Sequence, residues 1–191
     1  VFSCGFDSIP FDLGVLFLQQ HARERFGAPC PRIRGRVRKM KGTFSGGTLA
    51  RMLATLEAVR REPALTAVLA DPFARSPEKL TPQPSGEAVV HDDGIGWAAP
   101  FIMATINTKN VHRSNALMNY SYGRDFAYDE MMLTGDGAAG EKRARAAMKQ
   151  AGLQTALLGF GPTRALLRTF ALPKPGQGPS KQERETGHYD V

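Results

Sequence analysis

Between Ile9 and Arg61 the hydrophobic period of the chain changes from helical to two-residue and back. From Ile9 to Phe26, Leu13, Leu16, Phe17 and Leu18 recur near helical spacing, and Gly27 supplies a stop. From Arg32 to Lys41 (RIRGRVRKMK) the period becomes two. Arg32, Arg34, Arg36 and Arg38 point one way and Ile33 and Val37 the other, which predicts a strand with a basic face. A Gly-rich turn from Gly42 to Thr48 then feeds a helix from about Leu49 to Arg61. Helices alternating with strands restrict the chain to α/β or α+β layers, a mixed sheet with flanking helices.

The stretch ahead of the first helix, VFSCGFDSIPFDLG, reads as a strand end feeding a helix N-terminus. Asp7 or Ser8 can cap that helix, and Pro10 and Asp12 suit its first turn. With Gly5 letting the backbone come close to a neighbour, such a junction can hold a ligand, or it is simply a capped helix.

Further on, Pro63 to Ala70 can form a helical piece, and Asp71 to Gly86, rich in Pro and Ser, reads as a long surface loop. Glu87 to His91 and Gly96 to Ala99 are short strands around an Asp-Asp-Gly turn at Asp92 to Gly94. Phe101 to Met118 is mixed, with a helix expected over its second half, and Tyr120 to Leu133 reads as strand. Ala138 to Leu158 predicts a long helix, Pro162 to Leu172 a shorter one, and Pro173 to Ser180 an irregular loop.

Composition narrows the class. The 191 residues suit one domain or at most two, and 42% hydrophobic with 23% charged residues is ordinary for a globular chain. No apolar stretch is long enough for a membrane helix. Cys4 and Cys30 make neither a disulfide framework nor a metal cluster, so a reducing, cytoplasmic setting is expected and no metal. The net charge of +7 is uneven: Lys142 to Lys181 holds eight Lys/Arg and no acid, leaving 17 basic and 18 acidic residues elsewhere. That asymmetry suggests a docking face for an anionic partner, or a solvated helix face. A nucleic-acid partner is not expected, because no aromatic residues interleave the basic strand.

Three constellations could carry chemistry. Gly135 to Gly140 (GDGAAG) matches G-x-G-x-x-G between a strand and a helix, but the ribose-binding acid expected about 20 residues on is missing. It is read as a turn and helix start. Ser45 sits in a Gly-rich strand–helix turn like a nucleophile elbow, with His91, His112 or His188 as conceivable bases. However, Thr43 stands where the elbow needs Gly, so a Ser hydrolase is only a third reading. Asn107, His112, Arg113, Ser114 and Asn115 form a polar cluster in an apolar stretch, able to converge on a ligand or to satisfy one another.

Taken together, CGFDSIPFDLG, KGTFSGGTLARM, GWAAPFIMATINTKNVHRSNAL, YGRDFAYDEMM and PKPGQGPS resemble the saccharopine dehydrogenase-like oxidoreductases, in particular their trans-acting enoyl reductase branch. The resemblance spans nearly the whole chain. It implies that residues 1–191 are the substrate and dimerisation domain of a two-domain dehydrogenase, incomplete at both ends, with a Rossmann nucleotide domain expected upstream. It further implies that Cys4, Gly5, Phe6, Asp7 and Ser8 pass near the nicotinamide of NADP or NAD. Ser45, Gly46 and Gly47 would face the substrate, and Asn107, Arg113, Ser114 and Asn115 match a polar motif of the branch. Phe11 departs from the family, where a small polar residue is more usual, and no Arg pattern able to clamp the carboxylates of saccharopine is present.

The function implied is an NAD(P)H-dependent reductase of acyl or lipid-like substrates, carried in trans on an acidic carrier protein. A homodimer with peripheral membrane contact is the companion expectation. The runner-up is a non-catalytic lipid- or protein-binding module of the same fold.

Overall fold

The computed structural model describes residue 5 and residues 8–42, 45–162, 176 and 178–191. Helix α1 (Ile9–Phe26) leads to strand β1 (Arg32–Val37), a short β2 (Lys39–Lys41), α2 (Gly46–Arg61) and α3 (Leu65–Ala70). A long irregular segment then reaches the hairpin of β3 (Val90–Asp92) and β4 (Gly96–Pro100). Helix α4 (Ala104–Leu117), β5 (Ala127–Gly135), α5 (Gly137–Gly159), α6 (Lys181–Thr186) and β6 (His188–Asp190) follow. The strands form a mixed four-stranded sheet in the order β1-β5-β4-β3 and a two-stranded sheet of β2 and β6. β1 runs parallel to β5, with Gly35 opposite Glu130; the pairings of β4 with β5 and β3 are antiparallel. The expected mixed α/β class with flanking helices is what forms.

α1 ends where its sequence says. Gly27 takes the left-handed conformation at φ 75° and its N–H closes on the carbonyl of Arg23. The start differs from expectation: Ser8 occupies the N-cap position but makes no side-chain cap. The helix also buries another face than the apolar count suggests. Phe11, Val15, Gln19 and Ala22 are buried, while Leu13, Phe17 and Leu18 are exposed. Gln19 can lie inside because both polar atoms of its amide are bonded, the nitrogen donating to the Cys30 carbonyl at 2.9 Å and the oxygen accepting the Cys30 N–H at 2.8 Å. α1 packs beside α4 over the sheet, and Val15, Ile33, Val111, Tyr122, Phe126 and Tyr128 form the core between them.

The basic strand is not one strand. After Val37 the chain crosses to the smaller sheet, where the Arg38 N–H donates to the Asp190 carbonyl at 2.8 Å. Nor is its basic face simply solvated. Arg36 is buried between Asp92 (2.5 Å) and Asp129 (2.7 Å), with Arg34 on Asp92 and Arg32 on Asp129 at the rim. Burial alone would lower the proton affinity of Arg36; the two carboxylates outweigh it and hold the cation charged.

Two further boundaries are corrected. α4 fills nearly all of the stretch assigned only half a helix. The stretch from Tyr120 to Phe126 is turn rather than strand, because Asn119 and Tyr120 adopt φ of 53° and 57°, which no strand permits. At the start of α5, a Cβ on Gly140 would lie 1.9 Å from the Gly135 carbonyl oxygen, so only glycine lets helix and strand close there. The helix expected from Pro162 to Leu172 lies, from residue 163 on, outside the described residues, as does most of the loop from Pro173. No helix among the described residues is long and apolar enough to cross a membrane.

Candidate functional site

β4 pairs with β5 only from Met131 onward, so the edge of β5 from Phe126 to Glu130 is left to another part of the chain. The Pro-rich segment after α3 takes that place. Gln83 donates to the Phe126 carbonyl at 3.1 Å and accepts the Tyr128 N–H at 2.9 Å, copying a strand's hydrogen bonds with one side chain. Because the four prolines from Pro72 to Pro84 keep this segment from forming a ladder, it stands off from the sheet. A cavity of about 530 Å³ remains between it, α4 and the end of β4. That volume lies in the range of small-molecule sites.

Its walls are mixed. Leu69, Phe73, Leu80, Phe101 and Ala104 supply apolar surface; Lys79, Thr105, Thr108, Lys109 and the stretch Tyr128 to Glu130 bring polar groups. Lys109 is buried, and its ammonium donates to the carbonyls of Leu69 and Thr105, both at 2.6 Å. Burial lowers its proton affinity, and Arg75 nearby adds to that, against the pull of Asp71. Lys79 pairs with Asp71 at 2.6 Å on the outside of the segment.

On the β5 side of the cavity lies a second unusual group. Glu130 is fully buried, with Tyr128 donating to one carboxyl oxygen at 2.7 Å and Asn107 to the other at 2.9 Å. Burial raises its proton affinity to about 7, against the opposing pull of those two hydrogen bonds, and Asp129 adds to the rise. Gly35 makes the space: a Cβ there would lie 3.0 Å from both Glu130 Cγ and the Tyr128 hydroxyl. Buried groups that titrate far from their ordinary values gather at working sites more often than elsewhere. Neither Glu130 nor Lys109 stood out in the sequence. The one usable signal was the Asp129-Glu130 pair inside an apolar strand, since adjacent strand residues face opposite sides and both must find partners indoors.

The sequence-predicted residues are dispersed. Cys4, Phe6 and Asp7 lie outside the described residues. Gly5 accepts the N–H groups of Ser8 and Ile9 through its carbonyl, each at 3.0 Å, and Ser8 is buried. Ser45 caps α2, its hydroxyl accepting the Thr48 N–H at 3.2 Å; Gly46 and Gly47 open that helix, and none of the three lines the cavity.

The polar cluster on α4 splits by helix face. Asn107 reaches Glu130, whereas Asn115 ties down the following turn by accepting the Tyr122 N–H and donating to the Gly123 carbonyl. Ser114 donates to Asp12 of α1 at 2.8 Å, and Arg113 donates to the Arg75 carbonyl on the surface. His112 is buried against Phe73 and Phe126 with neither ring nitrogen hydrogen-bonded, and burial pushes its proton affinity down to about 4. Among the described residues no group of three or more His, Cys, Asp or Glu side chains could hold a metal ion.

The Gly135–Gly140 turn is filled by the chain itself. Besides the contact at Gly140, a Cβ on Gly135 would lie 2.6 Å from a guanidinium nitrogen of Arg143, whose Nε donates to the Thr134 carbonyl. Part of the basic segment is thus already engaged: Arg143 here and Arg145 with Glu141. Arg164, Arg168 and Lys174 lie outside the described residues.

Comparison with known proteins gives one consistent result. The chain is 37% identical to a Mycobacterium tuberculosis protein provisionally named a trans-acting enoyl reductase, over 100% of this chain and 48% of that protein. It is 33% identical to a trans-acting enoyl reductase of Mycobacterium ulcerans and 31% identical to one of Mycobacterium leprae, in each case over 99% of this chain and 48% of the relative. The chain therefore spans about half the length of the curated relatives it matches. No protein-family model and no solved structure matches it.

Proposed function

We propose that this chain forms the substrate side of an enoyl reductase of the saccharopine dehydrogenase-like type. The observation that carries the reading is similarity along the entire chain to proteins named trans-acting enoyl reductases. The cavity beside β5 supports it, since its apolar walls suit an acyl chain and its polar side suits a carbonyl. The reducing equivalent is NADPH or NADH. The described residues do not fit it: the one Gly-rich turn with the right spacing is closed by its own backbone and by Arg143. The nucleotide is proposed to be held mainly by an upstream Rossmann domain, next to the junction that includes Gly5 and Ser8.

What the described residues offer is binding and orientation. Lys109 sits fixed in the cavity wall, and burial raises the Glu130 carboxyl on the β5 side to about 7. The acyl group is proposed to arrive on an acidic carrier protein, met by the basic segment from Lys142 to Lys181.

The test is an assay of the full-length protein with an enoyl thioester and each nicotinamide nucleotide, following product mass. Gain of two hydrogens at the double bond, dependent on nucleotide, is the expected result. Binding of the thioester without reduction by either nucleotide overturns the reading in favour of a non-catalytic module.

A further inference from the structure

We infer that the cavity between α4 and the Pro-rich segment is an acyl-binding site in which the Lys109 ammonium holds the ligand's carbonyl oxygen. This assignment takes the acyl substrate class from the reductase reading and goes beyond it in fixing where and by which group that substrate is held.

The anchor is built by three residues of the wall. Lys109 leaves α4 and donates to the carbonyl of Thr105, one turn back on the same helix, and to the carbonyl of Leu69 near the end of α3. All three residues line the cavity. An ammonium has three N–H donors; two are committed to these carbonyls, which fixes the nitrogen and leaves one donor for a ligand. A buried cation held only by neutral carbonyls keeps most of its field, because no carboxylate is hydrogen-bonded to it to cancel the charge. Most carboxylates near the cavity are otherwise engaged, and Glu87, which also lines it, is exposed and makes no hydrogen bond to the ammonium. Asp71 is paired with Lys79, Asp129 with Arg32 and Arg36, and Glu130 with Tyr128 and Asn107. A carbonyl or carboxylate oxygen is the ligand group that completes such a donor.

The rest of the cavity fits a hydrocarbon chain attached to that oxygen. Phe73, Leu80, Phe101, Ala104 and Leu69 face the space. The hydroxyl of Thr108 is turned back onto the Ala104 carbonyl at 2.6 Å, so it presents its methyl group and competes little for the ligand. A polar ligand such as a sugar or a nucleotide would leave its hydroxyl groups unpaired against these walls.

The experiment titrates the full-length protein with octanoyl-pantetheine, octanoate and octanol. Two variants accompany it: Lys109→Met, which keeps the stem and removes the ammonium, and Thr105→Trp, which fills the cavity from an exposed position and leaves Lys109 in place. Thermal unfolding checks that each is folded. A hydrogen bond to a charged group is worth roughly a tenfold to hundredfold change in affinity. Lys109→Met is expected to weaken the carbonyl ligands by that factor and octanol, whose neutral hydroxyl is the weaker acceptor, by clearly less, and Thr105→Trp to weaken all three. Loss for both the thioester and the acid assigns the anchor to the carbonyl oxygen; loss for the acid alone assigns it to a free carboxylate headgroup.

Unchanged binding of thioester and acid to folded Lys109→Met overturns the inference, as does wild-type binding by Thr105→Trp. A protein that binds as expected but reduces no enoyl thioester refutes the reductase reading and leaves this site standing. An active reductase indifferent to both variants refutes the site alone.

Discussion

Replacing Glu130 with Gln should change the pH dependence of stability in a way that exposes two opposed buried groups. Burial lifts the Glu130 carboxyl from an ordinary 4.5 to about 7, so the folded chain holds this proton more tightly than the unfolded one. Its contribution is fully present below 4.5 and is lost as pH rises through about 7. His112 runs the other way. Burial lowers it from 6.5 to about 4, so its contribution is present above 6.5 and is lost as pH falls through about 4. Each swing amounts to about 3 kcal/mol, at about 1.4 kcal/mol per pKa unit. Over the range where the two windows overlap the slopes nearly cancel, and the wild-type protein should show an almost flat profile there.

Gln keeps the shape and accepts the Tyr128 hydroxyl as before. Its new amide N–H needs an acceptor where Asn107 now donates, and a rotated Asn107 amide provides one at a cost of about 1 kcal/mol. Urea unfolding at about pH 5 and about pH 8 reads the outcome. The variant should be close to wild type or slightly weaker at the lower pH, and more stable by about 2 kcal/mol at the higher. Its own stability should now rise with pH up to about 6.5, the unmasked signature of His112. A difference between variant and wild type that does not change with pH would refute the reasoning, since it would mean that Glu130 titrates alike in both states.

Two other substitutions test the scaffold. Asp92→Asn leaves the buried Arg36 with Asp129 as its remaining carboxylate and should cost about 3 kcal/mol in denaturant unfolding; a loss below about 1 kcal/mol would mean that the network is solvated like a surface pair. Gly140→Ala places a Cβ against the Gly135 carbonyl and should cost at least about 2 kcal/mol, and a neutral result would show that the turn opens without strain.

The parts of this fold that were legible in the sequence are those decided by neighbours in the chain. α1 runs from Ile9 to Phe26 with Gly27 in its left-handed stop, as the local signals demand, and the Gly-rich turn before α5 behaves as a turn. The parts that were not legible depend on partners far away. The buried face of α1 follows distant partners rather than the count of leucines: Phe11 and Val15 pack into the core, and the Cys30 backbone gives Gln19 its two hydrogen bonds. The arginines of β1 read only as the basic face of a strand, because Asp92 and Asp129, which neutralise the middle of it, lie far along the sequence. In the polar cluster on α4 the sequence does not separate the roles of the individual residues. A helix turns by about 100° per residue, so Asn107 meets Glu130 while Arg113 and Ser114 end up on other neighbours.

The cavity is the clearest case of a site no local pattern announces. It exists because β4 is too short to cover β5 and because the segment that takes its place is rich in proline. A strand in that position would have paired with Tyr128 to Glu130 and filled the space. Proline denies the segment a ladder, Gln83 ties it to β5 by one side chain, and the remaining gap is where Lys109 finds two carbonyls in place of a carboxylate. The sequence marks Asp71 to Gly86 only as loop. Read with β5 beside it, the same composition becomes the reason that a space with mixed walls and the buried Lys109 in one of them survives here, and the reason that a ligand has somewhere to go.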